Sequence, residues 1–427
     1  MTTAREALNR TLLLTRDLVP DEVTDDTIVG HLRGTRVTVV ADAPNLGTVG
    51  GQSAVVTLVT QALALGADVD LAFPDVGILG NQLPLRGCRL AEALTQFSSD
   101  FMPDPRARSV STIAENSAVF FIGSTPAAAP SSTSWRVVGT AGGGSLLPAS
   151  EPGQPFPDYP LGALAAANLA AAEVFKLAVR PLVDVRLADL VAPSARAMVR
   201  ILDDAIATAP RALGRVDCIS GGAVIQAFAH VLLRVPEISG DLHVIEPDSF
   251  DLTNLNRYPL MRFSQVGRLK TEGLEACSTT SLRIRGTPAA FTSATMGDLA
   301  PLAENVAVGT DQIPPRWLVQ DQEPAWLGIG ATTHFQALVS DHTMDTACVR
   351  CLHPDDDGVR AAIPTVGFVS YWAGLLLAAK LLAHVSGRAN SLGCATLLGS
   401  LRPDGPRARL DYEVRRSASC SRCMRAA

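Results

Sequence analysis

Residues 215–247 read RVDCISGGAVIQAFAHVLLRVPEISGDLHVIEP. The stretch opens on a β-rich apolar run, RVDCIS, turns on Gly221 and Gly222, and continues as the helical pattern AVIQAFAHVLLRV. It ends in a second apolar strand, LHVIEP at 242–247. Strand, Gly-rich turn, helix and strand form a βαβ unit, which predicts a parallel sheet. Two glycines before a helix let the backbone approach a phosphate, where the helix N-terminus offers N–H groups and a favourable dipole. The spacing departs from G-x-G-x-x-G, and a purely structural turn explains the pair equally well.

The chain contains this series twice. RVTVVAD (36–42), GTVGGQ (47–52), SAVVTLVTQALAL and GADVDLAFPD (66–75) repeat strand, turn, helix and strand. Downstream, VFFIGST (119–125) answers VAVGTDQ (306–312), and SWRVVGTAGG (134–143) answers AWLGIGATTH (325–334). PLGALAAANLAAAEVFKLAV, from residue 160, answers TVGFVSYWAGLLLAAKLLAHV, from residue 365. The expectation is an α/β chain of two tandem Rossmann-like domains, 1–195 and 196–427. Residues 182–214 should form a strand or connector, followed by an amphipathic helix leading into the second copy.

The 427 residues are too many for one typical core, which agrees with two domains. With 47% hydrophobic and 18% charged residues, the composition is that of a globular chain. A net charge of −6 argues against nucleic acid as a partner. The apolar run at 366–385 is interrupted by Lys380 and rich in small residues, so it reads as a buried core helix and not as a membrane span. No secretory pattern is visible at the N-terminus, and the expected location is cytoplasmic.

The second copy carries the chemistry-bearing residues. Its second strand ends at Glu246, where a doubly wound fold places an acid on a nucleotide ribose. The loop DLTNLNRY (251–258) follows, with Asn254, Asn256 and Arg257, and then Lys270. Two cations beside a nucleotide cleft can neutralise a triphosphate. Asp311 closes the strand VAVGTD, a position suited to holding Mg²⁺. Singly, each has an ordinary reading: a solvated cation, or a helix-capping aspartate. Their order on one βαβα frame points to a nucleotide.

The run LHVIEPDSFDLTNLNRYPLMRFSQVGRLKTEGLEA (242–276) resembles the ThiF/MoeB/HesA superfamily, the activating enzymes of ubiquitin-like pathways. That family shows D-x-D at a strand end, an S-N-L-x-R loop and a V-G-x-x-K helix start. Here these are E-P-D at 246–248, T-N-L-N-R at 253–257 and V-G-R-L-K at 266–270; Thr310, Asp311 and Gln312 match a T-D-N element. The resemblance implies ATP-dependent adenylation of a C-terminal carboxylate. It assigns Gly221 and Gly222 to the nucleotide phosphates, and Glu246 and Asp248 to the acidic strand end that holds the ribose. Asn254, Arg257 and Lys270 go to the triphosphate, and Asp311 to Mg²⁺. Two departures are present: the family's G-x-G-G-x-G turn is I-S-G-G-A-V, and the ribose acid is Glu.

Two CxxC pairs, Cys348/Cys351 and Cys420/Cys423, can complete a tetrahedral Cys₄ zinc site. The CVRCLHP context of the first pair and the C-terminal place of the second resemble the family's Zn²⁺ site. For a thioester, HPDDDGVRAAIPTVG (353–367) offers no cysteine. Cys277 and Cys394 remain, and both read better as buried bystanders.

The first copy lacks the N-L-x-R loop and the CxxC pair, and Thr125 stands where the second has Asp311. It resembles the inactive half of tandem activating enzymes, a pseudo-dimer within one chain. LNRTLLL (8–14) resembles the segment from which an arginine reaches the other half's ATP, which nominates Arg10. The expected substrate is the C-terminal tail of a ubiquitin-like protein, with a conjugating enzyme as a further partner. The alternatives are a sulfur-carrier protein, a peptide precursor, or a silent scaffold that only binds a ubiquitin-like protein. A nicotinamide-dependent oxidoreductase would explain the turn and Glu246 but leaves Arg257, Lys270 and the cysteine pairs unexplained.

Overall fold

The computed structural model describes residues 2–102, 106–115, 117–123, 133–209, 211–356, 358, 363–388, 395–402, 408–418, 420 and 422–423. Among these, two mostly parallel sheets organise the chain. The first contains β1 (Arg36–Ala41), β2 (Asp68–Ala72), β3 (Ala107–Ser109), β4 (Ala118–Ile122), β5 (Ser134–Gly139), β6 (Gly143–Pro148) and β7 (Ala197–Arg200). The second contains β8 (Arg211–Ile219), β9 (Ile238–Ile245), β10 (Leu282–Thr287), β11 (Asn305–Val308), β12 (Trp326–Thr333), β13 (Gln336–His342), β14 (Ala395–Gly399) and β15 (Arg409–Tyr412).

The orders are β3-β2-β1-β4-β5-β6-β7 and β10-β9-β8-β11-β12-β13-β14-β15. Renumbered within each sheet, the first seven positions coincide. So do the directions: parallel pairing runs through β5 and β12, and antiparallel pairing follows. The residues matched by sequence occupy matching places. Trp135 and Trp326 lie on the fifth strands, and Gly123 and Gly309 follow the fourth.

Seven helices matter below: α1 (Asn9–Thr15), α2 (Val49–Ala64), α3 (Leu161–Val179), α4 (Ala223–Leu232), α5 (Lys270–Glu275), α6 (Pro314–Gln320) and α7 (Gly367–Val385). By length and composition, α3 and α7 could each cross a membrane. In the fold they are almost wholly buried, packed on the sheets and on each other. The lysine in each is neutralised locally. Lys176 meets Glu173 at 2.5 Å, and Lys380 meets Asp341 at 2.8 Å. A buried ammonium requires such a partner.

One apolar core runs through both halves. Phe175 on α3 stacks near Phe368 on α7, with ring centroids 5.5 Å apart. A buried polar thread crosses the same seam. Gln61 Nε2 donates to Asn168 Oδ1 (2.6 Å), and Asn168 Nδ2 donates to the Phe368 carbonyl (2.9 Å).

The connector differs from expectation. Residues 182–214 hold 3₁₀ turns, the strand β7 and one helical turn, Asp204–Ala207, in place of an amphipathic helix. Ala197–Arg200 alternates buried and exposed with period two, the pattern of a strand and not of a helix. Asp203 then caps the short turn by accepting from Ala205 N–H. The expected division near residue 195 falls just before β7, which pairs with β6, so by sheet membership the changeover lies after Arg200.

Candidate active site

In the second sheet the strand order reverses at β8, between β9 and β11. A crevice opens at such a switch point beyond the C-terminal ends of parallel strands. A cavity of about 370 Å³ lies there, lined by residues that end β8 (Ser220), β9 (Glu246) and β11 (Gly309). The size suits a small-molecule ligand.

Ser220 follows β8 with φ +96°, a conformation that a side chain disfavours. Its hydroxyl accepts from Gly222 N–H (3.0 Å) and donates to Glu246 Oε2 (3.3 Å). Gly222 is the N-cap of α4 and lines the cavity. Gly221 is not among the lining residues; its N–H donates to Glu246 Oε2 at 2.5 Å. A Cβ on Gly221 would lie 3.0 Å from Glu246 Cγ, so the turn and the acid are packed as one unit.

Glu246 also accepts from Asp248 N–H at 2.9 Å. Lys270, at the start of α5, reaches Asp248 Oδ2 (2.9 Å) and Glu246 Oε1 (3.4 Å). Burial alone would lower the Lys270 pKa, but Tyr258, Glu246 and Asp248 outweigh it and hold the ammonium above its ordinary value. Lys270 is therefore charged at neutral pH.

The loop 251–258 is a 3₁₀ turn capped at both ends of its first residues. Asp251 accepts from Thr253 N–H, and Asn254 Oδ1 accepts from Asp251 N–H. Asn254 is thus spent on loop shape and is not among the residues that line the cavity. Asn256, fully buried, donates from Nδ2 to Thr11 Oγ1 on α1 (3.0 Å) and accepts at Oδ1 from Arg257 Nη1 (2.9 Å). Arg257 also donates to the Thr253 carbonyl and lies 5.3 Å from the Tyr258 ring centroid. Burial depresses its pKa, with Arg10 adding to the effect and Tyr258, Asp311 and Asp251 opposing it.

Arg10 comes from α1, in the other half, and lines the same cavity; its Nη1 donates to the Ile363 carbonyl at 3.3 Å. Asp311 is exposed on the facing wall. The structure therefore brings Arg10, Gly222, Glu246, Asp248, Arg257, Lys270 and Asp311 together around one cavity. Ser220 and Tyr258 complete it. Their sequence signals were adjacency alone, one before the glycine pair and one after Arg257. A second cavity, of about 300 Å³, shares Val224, Gly309, Asp311, Thr332 and Ile363 with the first. Its wall has no room for a side chain at Gly330: a Cβ there would lie 2.5 Å from Val224 Cγ1.

No protein-family model matches the sequence. An uncharacterized protein of Sinorhizobium fredii, y4jF, is 28% identical over 149 residues. The match spans 34% of this chain and 28% of that relative's length. Among solved structures, E. coli MccB crystallised with MccA is 17% identical over 49% of this chain and 66% of that one, with a TM-score of 0.41. E. coli MccB with ATP is 18% identical at the same coverage and TM-score. PaaA is 12% identical over 44% of this chain and 69% of that one, with a TM-score of 0.36.

The four cysteines of the two CxxC pairs converge. Cys348 Sγ lies 3.8 Å from Cys351, 3.4 Å from Cys420 and 3.5 Å from Cys423 Sγ, and Cys351 lies 3.5 Å from Cys423. Four sulfurs at the ~2.3 Å zinc–sulfur distance in a tetrahedron stand about 3.8 Å apart, so the cage fits Zn²⁺. Ser417 N–H donates to Cys351 Sγ at 3.3 Å, the kind of outer contact that orients a thiolate. Cys277 is buried, and burial pushes its thiol up to about 11; it lines neither cavity. Cys394 and Thr125 lie outside the described residues.

At the first copy's corresponding turn, between β1 and α2, the described residues are packed against protein. The start of α2 is capped by Thr48 and by Asp158, which accepts from Val49 N–H at 2.9 Å. A Cβ on Gly50 would lie 2.1 Å from the Pro157 carbonyl oxygen, and one on Gly51 would lie 2.0 Å from that of Asn45. Two of the N–H groups at this turn are taken by side chains: that of Val49 by Asp158, and that of Gly51 by Thr48 Oγ1 at 3.0 Å. Arg136, fully buried, donates to the carbonyls of Gly123 (2.5 Å) and Ala149 (2.7 Å) just below.

Proposed function

We propose that the chain is an ATP- and Mg²⁺-dependent adenylating enzyme, in which a first half with no nucleotide site of its own supports an active second half and lends it Arg10. The observation that carries this reading is the convergence of Arg10, Arg257 and Lys270 with Asp311 at one switch-point crevice, beside the N-terminus of α4. Three cationic side chains beside acids are what a triphosphate and a departing pyrophosphate require.

In this reading Glu246 accepts the ribose hydroxyls, and Gly222 lets the phosphates approach α4. Asp311 would hold Mg²⁺, which neutralises phosphate charge when bound. A substrate carboxylate oxygen attacks the α-phosphorus; the bond to the bridging oxygen breaks, and pyrophosphate leaves with that electron pair. A carboxylate is already a nucleophile at neutral pH, so the site needs alignment and positive charge and no strong base. The second cavity, opening on Asp311 and Gly309, suits an extended C-terminal tail.

The proposed substrate is the C-terminus of a ubiquitin-like protein, passed on to a conjugating enzyme's thiol or to an amine. A sulfur-carrier protein or a peptide precursor fits the same cavity. The capped turn before α2 supports the silent role of the first copy, and the Cys₄ cage supports structural Zn²⁺ in the second. A cytoplasmic site of action belongs to the same reading.

ATP–pyrophosphate exchange, driven by a small protein ending in Gly-Gly or by a short peptide, tests it. Arg257→Ala and Asp311→Ala should each abolish exchange with zinc content unchanged. Wild-type exchange in both variants would show that these two residues do not carry the reaction; a folded, zinc-loaded wild type with no exchange on any carboxylate offered would sink the proposal and favour a silent scaffold.

A further inference from the structure

The short helix α6 lies between the cysteine cage and the loop that carries Asp311, and it is bonded to both. On the cage side, Gln320 Oε1 accepts from Val349 N–H (3.0 Å), and Trp317 Nε1 donates to the His353 carbonyl (3.0 Å). Arg350 stacks on the Trp317 ring at 4.7 Å and pairs with Asp321 at 3.0 Å. Val349, Arg350 and His353 belong to the turn that begins at Cys348 and holds Cys351. The cage therefore fixes where α6 sits.

On the other side, one residue connects the two regions. Arg316 is 4% exposed. Its Nη2 donates to the Thr310 carbonyl at 2.8 Å, and its Nη1 lies 3.1 Å from His353 Nε2. A guanidinium only donates, so His353 Nε2 accepts. The planar fork thus holds the backbone immediately before Asp311 with one arm and the residue two after Cys351 with the other. Thr310 Oγ1 donates to the Gln312 carbonyl at 2.9 Å, which closes the loop around Asp311. The loop is thus tied at two points: Gly309 N–H donates to the Ile219 carbonyl on β8 at 3.0 Å, and the Thr310 carbonyl, next to Asp311, is held by Arg316.

We propose that Arg316 and His353 are positioning residues: they set the Asp311 loop from the cysteine cage, so that an ordered cage is a condition for binding the divalent cation at Asp311. Neither residue is asked to touch the reacting atoms. The cation half of this inference rests on the adenylation reading; the loop half rests on geometry alone.

The test uses the full chain, loaded with zinc, as wild type, His353→Ala and His353→Gln. Glutamine offers an amide oxygen where the imidazole nitrogen stood. Amide hydrogen exchange over 309–312, without nucleotide, should quicken in the alanine variant and return toward wild type in the glutamine variant, while exchange in β8, β9 and β12 stays unchanged. The Mg²⁺ concentration giving half-maximal pyrophosphate exchange should rise about 10-fold in the alanine variant, as for outer contacts of metal ligands elsewhere. KM for ATP at saturating Mg²⁺ should hold. Unchanged exchange at 309–312 in His353→Ala, or a glutamine variant no better than alanine, overturns the proposal. Should His353→Ala not fold, Arg316→Lys, which keeps one donor of the fork, is read in its place, and unchanged amide exchange at 309–312 in it overturns the proposal. Local exchange behaving as stated, with no pyrophosphate exchange even in wild type, would refute adenylation and leave the positioning intact.

Discussion

Asn256 Nδ2 meets Thr11 Oγ1 at 3.0 Å, joining two residues that are 245 positions apart in sequence. The contact docks α1 against the loop 251–258 and so delivers Arg10, the neighbour of Thr11, into the second copy's cavity. The same amide holds Arg257 through its oxygen. Asn256→Ala removes both contacts from a fully buried position, which should cost about 1–3 kcal/mol in a denaturant melt. It should also lower pyrophosphate exchange at saturating ATP, because both arginines lose their anchor. A variant with wild-type stability and exchange would show that α1 is held by other means.

The side-chain-capped turn of the first copy, where Asp158 and Thr48 take backbone N–H groups, predicts one nucleotide per chain. Calorimetric titration of ATP should give a stoichiometry near one, and Arg257→Ala should remove the binding instead of halving it. Two sites in the titration would overturn the silent assignment.

Ser220 combines a disfavoured φ of +96° with two useful hydroxyl contacts. Strain of this kind costs on the order of 1–3 kcal/mol, and glycine relieves it. Ser220→Gly trades the hydrogen bonds for that relief and should melt near wild type. Ser220→Ala keeps the strain and loses the bonds, so it should be the less stable of the two. The reverse order would show that the turn relaxes around residue 220.

His230 is fully buried beneath the Tyr371 hydroxyl (2.9 Å from Nδ1), and burial, with Arg234 nearby, holds its pKa well below the ordinary histidine value of about 6.5. The unfolded chain takes up a proton as pH falls through about 6.5 while the folded chain does not, so stability falls over that window. The slope from this group approaches about 1.4 kcal/mol per pH unit below 6.5 and vanishes above it. His230→Gln should remove that component between about pH 7 and 5. Parallel wild-type and variant curves in urea melts would mean that the imidazole protonates in place.

Much of the fold could be read before the structure. Local periodicity reveals a strand, a glycine turn and a helix, and both βαβ units announce themselves this way. The connector was misread because ARAMVRIL carries apolar residues at spacings that serve either period, and only pairing with β6 decides for a strand. At the site, residues on the ends of β9, β11 and α5 were legible because strand ends converge at a switch point. Asn254 was not: an asparagine in a tight loop can face a ligand or cap its own turn, and the sequence is the same in both cases. Arg316 was invisible for a different reason. Its partners, Thr310 and His353, lie on opposite sides of it in sequence, and neither contact follows from a local pattern.

The repeated strand order has a consequence for how the chain is made. Arg10 is synthesised early, and it can be seated only when Asn256 and the loop around it exist to receive it. Asp311 and the last cysteine pair come later still. A nascent chain with only its first sheet formed thus carries an arginine with no phosphate to meet. Catalytic competence, on the proposed reading, arrives in a single late step of biosynthesis, when the second sheet closes under the waiting N-terminal helix.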